Sequence, residues 1–216
     1  FAQSFYNSKD IIFLAFFIIS IYYCFSFLKD KKYKYLILSC ISLALLTSTR
    51  VIGIYLFFIF IIFLLVEILE GRKTKVSILN ILRIILLYFI FTYFLWPFLW
   101  ENPVDNFFYA LASMSKYNWG GDVFYLGKYH HSHYLPWHYL FTWIFITNSI
   151  GLIFIIFLSF IFNFYRTINR LLKINDKKPN LSLWKNSTEL LIFFNIVVVI
   201  VPIFLIILNN STLYSG

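Results

Sequence analysis

Hydrophobic positions run along this chain in six long blocks, at residues 11–28, 35–49, 51–69, 77–99, 139–163 and 189–208. A helix needs about 20 apolar residues to cross a bilayer, and the second block is short of that. Only Arg50, at the end of the run Ser48-Thr49-Arg50, separates it from the third block. That pair predicts a tight helical hairpin bent at Arg50, with arms that need not span fully. Gly53 just after the bend permits close packing. Between the fourth and fifth blocks lies a polar, aromatic stretch, residues 100–138. Inside it the apolar positions 104, 107, 108, 111, 112 and 114 follow the i, i+3, i+4 spacing of an amphipathic helix. Asn102 before Pro103 suits its start, and such a helix lies flat in the interface. NWGGD at 118–122 then turns the chain, with Asp122 as a turn residue. LPWHYLFTW at 135–143 returns to the apolar run and sets Trp137, Tyr139 and Trp143 at headgroup depth, as an aromatic belt requires.

Composition sharpens this picture. Of 216 residues, 61% are hydrophobic and 12% are charged, whereas soluble domains carry about 25% charged residues. The expected fold class is therefore all-α: a multi-pass transmembrane helical bundle in one polytopic domain, with an extracytoplasmic loop carrying the interfacial helix. Cys24 and Cys40 both fall inside apolar runs, so no disulfide framework is indicated. The chain opens on Phe1 and is read as an internal piece of a longer protein.

The net charge of +9 has a topological meaning. Segments 29–34, 71–83 and 164–188 hold 4, 4 and 6 Lys or Arg, a total of 14 of the 18. The remaining 4 are Lys9, Arg50, Lys116 and Lys128. The positive-inside rule places the first group in the cytoplasm. Residues 5–10, the Arg50 bend, the loop 100–138 and the segment 209–216 then share the opposite face. The basic loop 164–188 is accordingly a topology signal and not a nucleic-acid patch. Asn180 and Asn186 head glycosylation sequons that fall in that cytoplasmic loop.

Four stretches, taken in order, resemble the membrane-embedded GT-C glycosyltransferases, in the branch of protein O-mannosyltransferases and aminoarabinose transferases. FAQSFYNSKDIIFLAFF at the start is similar to that family's F-Y-N-P-K-D approach to a helix, with Ser8 in place of Pro. LALLTSTRVIGIYLF resembles its S-T-K/R-x-x-G hairpin. The segment from Leu95 to Ile150 is similar to its P-W-x-x-P … F-x-W-x-G … L-P-W-Y-Y block, and LNNSTLYSG to the start of its L-Y-D/S-G-W-R-H block. The resemblance implies transfer of a sugar from a polyprenyl- or dolichyl-phosphate to an acceptor hydroxyl outside the cytoplasm, with no cofactor. It puts the carboxylate base on a loop that precedes residue 1. The implied partners are membrane lipids, the lipid-linked sugar and an acceptor glycan, lipid or protein, with no nucleic acid. A bacterial inner membrane is the expected location.

The reaction needs a proton-accepting carboxylate and donors for the leaving phosphate. Arg50 is the leading phosphate ligand, because a charge near the membrane core is costly; the competing reading has it snorkel to headgroups. Lys9 is a second phosphate candidate. Asp10 and Glu101 are weak candidates for the carboxylate, with helix capping and plain solvation as their alternatives. Trp119, Asp122, His130 and His131 are the substrate-binding candidates. The cluster His130, His131, His133 lacks the spacing of a tetrahedral zinc site, so no metal is expected. No phosphate-binding glycine loop is present, which favours a lipid-linked donor over a nucleotide sugar. Two other classes remain: a multi-pass transporter or flippase, and a non-catalytic assembly protein for lipid-linked glycans.

Overall fold

A computed structural model describes residues 8–70, 77–115, 121–172, 183–184 and 186–208. The chain forms two compact units, residues 1–116 with 193–202, and residues 117–192 with 203–216. Among the described residues, four helical stretches are long and apolar enough to cross a membrane: Lys9–Asp30, Val51–Leu69, Ile78–Leu95 and Ser187–Leu208.

The first unit is built on helices α1 (Ser8–Asp30), α2 (Tyr33–Thr49), α3 (Ile54–Leu69) and α4 (Ile78–Leu95). Its core is apolar, with Leu36, Leu43, Leu46, Leu56, Phe60 and Leu64 buried. Residue 31 closes α1: Lys31 takes a left-handed φ of 54° and its N–H donates to the Phe27 carbonyl at 2.9 Å. Its side chain pairs with Glu67 near the end of α3, both groups almost out of solvent at 10% and 3% exposure. The Lys31 ammonium also lies 5.7 Å from the Phe27 ring centroid.

The expected bend falls at Arg50, whose backbone is extended at φ −145°, ψ 124°. A 3-10 turn, Val51–Gly53, leads into α3. The two arms differ from the tight hairpin expected. They meet mainly at the bend, and α2 instead runs along α1 and α4. With the 3-10 turn the second arm reaches 19 residues and has the length of a span, whereas α2 stops at 17. Hydrogen bonding explains the pairing of α2 with α4. Buried Thr47 and Tyr88 share a hydrogen bond of 2.9 Å, and the Cys40 thiol donates to the Ile84 carbonyl at 3.7 Å. Tyr88 also stacks on Phe57 of α3, with centroids 3.9 Å apart. Thr47→Val should destabilise the protein by about 0.5–1.5 kcal/mol, because it removes a hydrogen bond to the buried Tyr88 phenol. The double variant T47V/Y88F should recover most of that loss in detergent-phase thermal unfolding.

Helix α4 ends before Pro97, as the steric demands of proline require, and a 3-10 turn, Pro97–Leu99, follows. Helix α5 (Pro103–Ser115) then matches the expected amphipathic helix, with proline at its first position and Asp105 in its first turn.

The second unit departs from the all-α expectation. Residues 122–131 form an antiparallel hairpin of β1 (Asp122–Tyr125) and β2 (Lys128–His131). Within the run DVFYLGKYHH only the first strand alternates, with Val123 and Tyr125 buried and Asp122 and Phe124 exposed, a short period-2 pattern that the helical search passes over. Leu126 and Gly127 make the turn with φ of 50° and 81°. The fifth hydrophobic block, 139–163, is two helices and not one: α6 (Tyr139–Thr147) and α7 (Ile150–Leu172). Asn148 breaks them with an extended ψ of 151°, and the Ser149 hydroxyl accepts the Leu152 N–H at 3.4 Å. The last helix is α8 (Ser187–Leu208). Asn186 caps it, its side-chain oxygen accepting the Glu189 N–H at 2.9 Å. Arg166 also bonds Glu189, at 3.2 Å.

Candidate functional site

The expected site residues fall into two groups, one in each unit. In the first unit the start of α1 meets the bend between α2 and α3. Asp10 lies in the first turn of α1, where its charge suits the helix dipole. Its carboxylate forms an ion pair with the Arg50 guanidinium. Both side chains remain open to solvent, 37% exposed for Arg50 and 46% for Asp10. Lys9 beside them is exposed. Helix α5 packs against the Val51–Gly53 turn. The helix start, the Arg50 bend and the first part of the central loop thus gather at one end of this unit, away from the Lys31–Glu67 pair.

Local packing fixes that end. A Cβ on Gly53 would stand 2.7 Å from Leu46 Cγ and 3.1 Å from the Leu46 carbonyl carbon and oxygen. Only glycine lets the turn after Arg50 return against the last turns of α2. Gly53→Ala should cost about 1–3 kcal/mol by overpacking, read as a lower unfolding temperature in detergent. The loop ahead of α5 is held as well. Trp100 Nε1 donates to the Tyr93 carbonyl at 2.8 Å, and Asn106 Nδ2 donates to the Phe98 carbonyl at 2.6 Å. The Trp96 and Phe107 rings lie 6.3 Å apart. Glu101 is exposed between these anchors, and no contact brings it to Arg50 among the described residues.

The second group stands on the hairpin. Asp122 is not a turn residue: it opens β1 and sits opposite His131, while Val123 sits opposite His130. Asp122 and His131 are exposed, and His130 is half-buried. Trp119 lies outside the described residues. Beside this group is a cluster that sequence reasoning missed. The Tyr125 hydroxyl bonds His138 Nδ1 at 2.7 Å and Thr142 Oγ1 at 2.8 Å. Tyr139 is not an outward belt residue; it is buried with Val123 and Tyr125. Its hydroxyl oxygen accepts Trp143 Nε1–H at 2.6 Å. The i, i+4 spacing of His138 and Thr142 puts them on one helix face, but nothing in the sequence joins that face to Tyr125 before the hairpin register is known.

Among the described residues no three His, Cys, Asp or Glu side chains converge as a metal site requires. Cys24 and Cys40 are free and buried. Arg50 is the group best suited to an anion. Its guanidinium carries five N–H donors in a planar fork, more than a single carboxylate oxygen uses, so it can hold Asp10 and still meet a phosphate. Comparison with family profiles, characterised proteins and solved structures gives no match for this chain.

Proposed function

We propose that this chain belongs to a multi-pass membrane glycosyltransferase. It moves a sugar from a polyprenyl- or dolichyl-phosphate carrier to an acceptor hydroxyl on the extracytoplasmic face. The acceptor oxygen attacks the anomeric carbon, the bond from that carbon to the phosphate oxygen breaks, and the acceptor proton passes to a carboxylate. The lipid phosphate leaves with the bonding electrons, and Arg50 meets its developing charge.

The observation that carries this reading is the Asp10–Arg50 pair beside α5. It holds a guanidinium at the bend of two apolar helices, on the end opposite the basic turn at Lys29–Lys34. The positive-inside distribution puts that end outside the cytoplasm. Asp10, already bound to Arg50, acts as a positioning group for the guanidinium. Lys9 adds charge at the same end, and Trp119, Asp122, His130 and His131 belong to acceptor or sugar binding. No cofactor is required. The largely buried charges Lys31 and Glu67 pair with each other near the ends of α1 and α3. That placement favours the transferase over a transporter or flippase, whose pathway would put charges in mid-helix. A bacterial inner membrane is the location proposed.

The test is transfer by the full-length protein in proteoliposomes, with a radiolabelled sugar on polyprenyl phosphate. Labelled acceptor should form with the wild type. Failure across hexosyl and pentosyl donors would leave the assembly-protein alternative as the better reading.

A further inference from the structure

We propose that the hairpin tip, residues 124–129, is an anchor seated in the headgroup layer of the membrane. The antiparallel register divides the hairpin into two faces. Val123 and Tyr125 turn inward at 3% and 7% exposure, and Phe124, Leu126 and Tyr129 turn outward at 63%, 75% and 75%. Phe124 and Tyr129 are directly opposite, with ring centroids 5.2 Å apart. They form one aromatic surface that ends on Leu126.

Leu126 makes the surface informative. A two-residue turn with both φ values positive selects Asn-Gly or Asp-Gly in water. Leucine in the left-handed region is strained, and here its side chain is 75% exposed, with little packing to offset that strain. Strain and exposure at one residue are reconciled when a medium less polar than water lies against the tip.

The depth of the tip identifies that medium. Tyr125, the residue before the turn, is bonded to His138 and Thr142. The tip is therefore held level with the first turn of α6, where the chain enters the run YLFTWIFIT. Trp137 and Trp143 are exposed at the same level. Aromatic side chains collect at headgroup depth because their rings are apolar and their edges polar. Lys128, exposed on the tip, supplies an ammonium for lipid phosphate. This inference needs α6 to enter a bilayer and does not depend on sugar transfer.

The test uses the full-length protein with Leu126→Cys carrying an NBD dye, in vesicles of phosphatidylcholine and phosphatidylglycerol. Cys24 and Cys40 are buried and should stay unlabelled. Lipids spin-labelled near the headgroup should quench the dye several-fold more than aqueous iodide does. Iodide quenching equal to that of the free dye would put the tip in water and overturn the anchor. Loss of lipid quenching at high protein density would assign the tip to a second copy, which also overturns it. A protein extracted from the vesicles by carbonate would remove the membrane reading and the anchor together. With the dye moved to Phe124→Cys, the further change Leu126→Asn relaxes the turn but removes the apolar apex. Its lipid quenching should fall several-fold while the hairpin persists.

Discussion

Glu67→Ala is expected to destabilise the first unit by about 3–5 kcal/mol, because it removes one partner of a buried ion pair. Lys31 and Glu67 are 10% and 3% exposed, so water does not screen their attraction as it does on a surface. Truncating Glu67 takes this carboxylate from the largely buried Lys31 ammonium, and the Phe27 ring lies 5.7 Å from ammonium to centroid. A cation–π contact offsets only about 0.5–2 kcal/mol. The double variant Lys31→Met/Glu67→Leu removes both charges and keeps apolar volume. It should unfold near the wild-type temperature or above it. Thermal unfolding in detergent micelles reads both variants. A single variant as stable as the wild type would mean that the carboxylate is solvated, and a double variant no better than the single would mean that the ion pair is not the source of the loss.

How far this architecture was legible depends on the range of the signal. The Arg50 bend, the close approach at Gly53, the stop before Pro97 and the start of α5 at Pro103 all follow from residues within a few positions of each other. Local sterics and periodicity decide such features, and sequence carries both. The hairpin is also local, yet the all-α expectation hid it. Its alternation spans only the four residues of the first strand, the second strand carries none, and its turn lacks the usual Asn-Gly. The break at Asn148 was missed because the flanking residues are equally apolar, and only Asn148 and Ser149 mark it. The contacts invisible in sequence are those between distant segments. Asp10 and Arg50 were separate candidates that the fold joins, whereas Lys31 counted only among the basic residues of 29–34 and nothing in the sequence ties it to Glu67. Tyr125 gave no sign of its bonds to His138 and Thr142, because strand register and helix phase must both be known to align them.

Arg50→Ala is expected to separate function from stability, and Asp10 decides how that result is interpreted. An exposed ion pair contributes about 0–1 kcal/mol to folding, and the Arg50 and Asp10 side chains are 37% and 46% exposed. Unfolding temperature should therefore change little in Arg50→Ala, in Asp10→Ala or in the double variant. Transfer should respond differently. If Arg50 meets the leaving phosphate, its loss should lower kcat by about 100-fold or more, the scale seen for one donor to a developing oxyanion. Arg50→Lys should recover only part of this, since an ammonium keeps the charge but lacks the planar fork. Asp10→Asn should cost less than Arg50→Ala, because the guanidinium remains and only its orientation is relaxed. Combining Asp10→Asn with Arg50→Ala should add almost nothing, as expected when one residue acts through the other. Additive losses would instead make Asp10 an independent participant, in contact with substrate on its own account. Wild-type transfer rates in Arg50→Ala would return the guanidinium to headgroup snorkelling and leave the donor phosphate to be bound elsewhere.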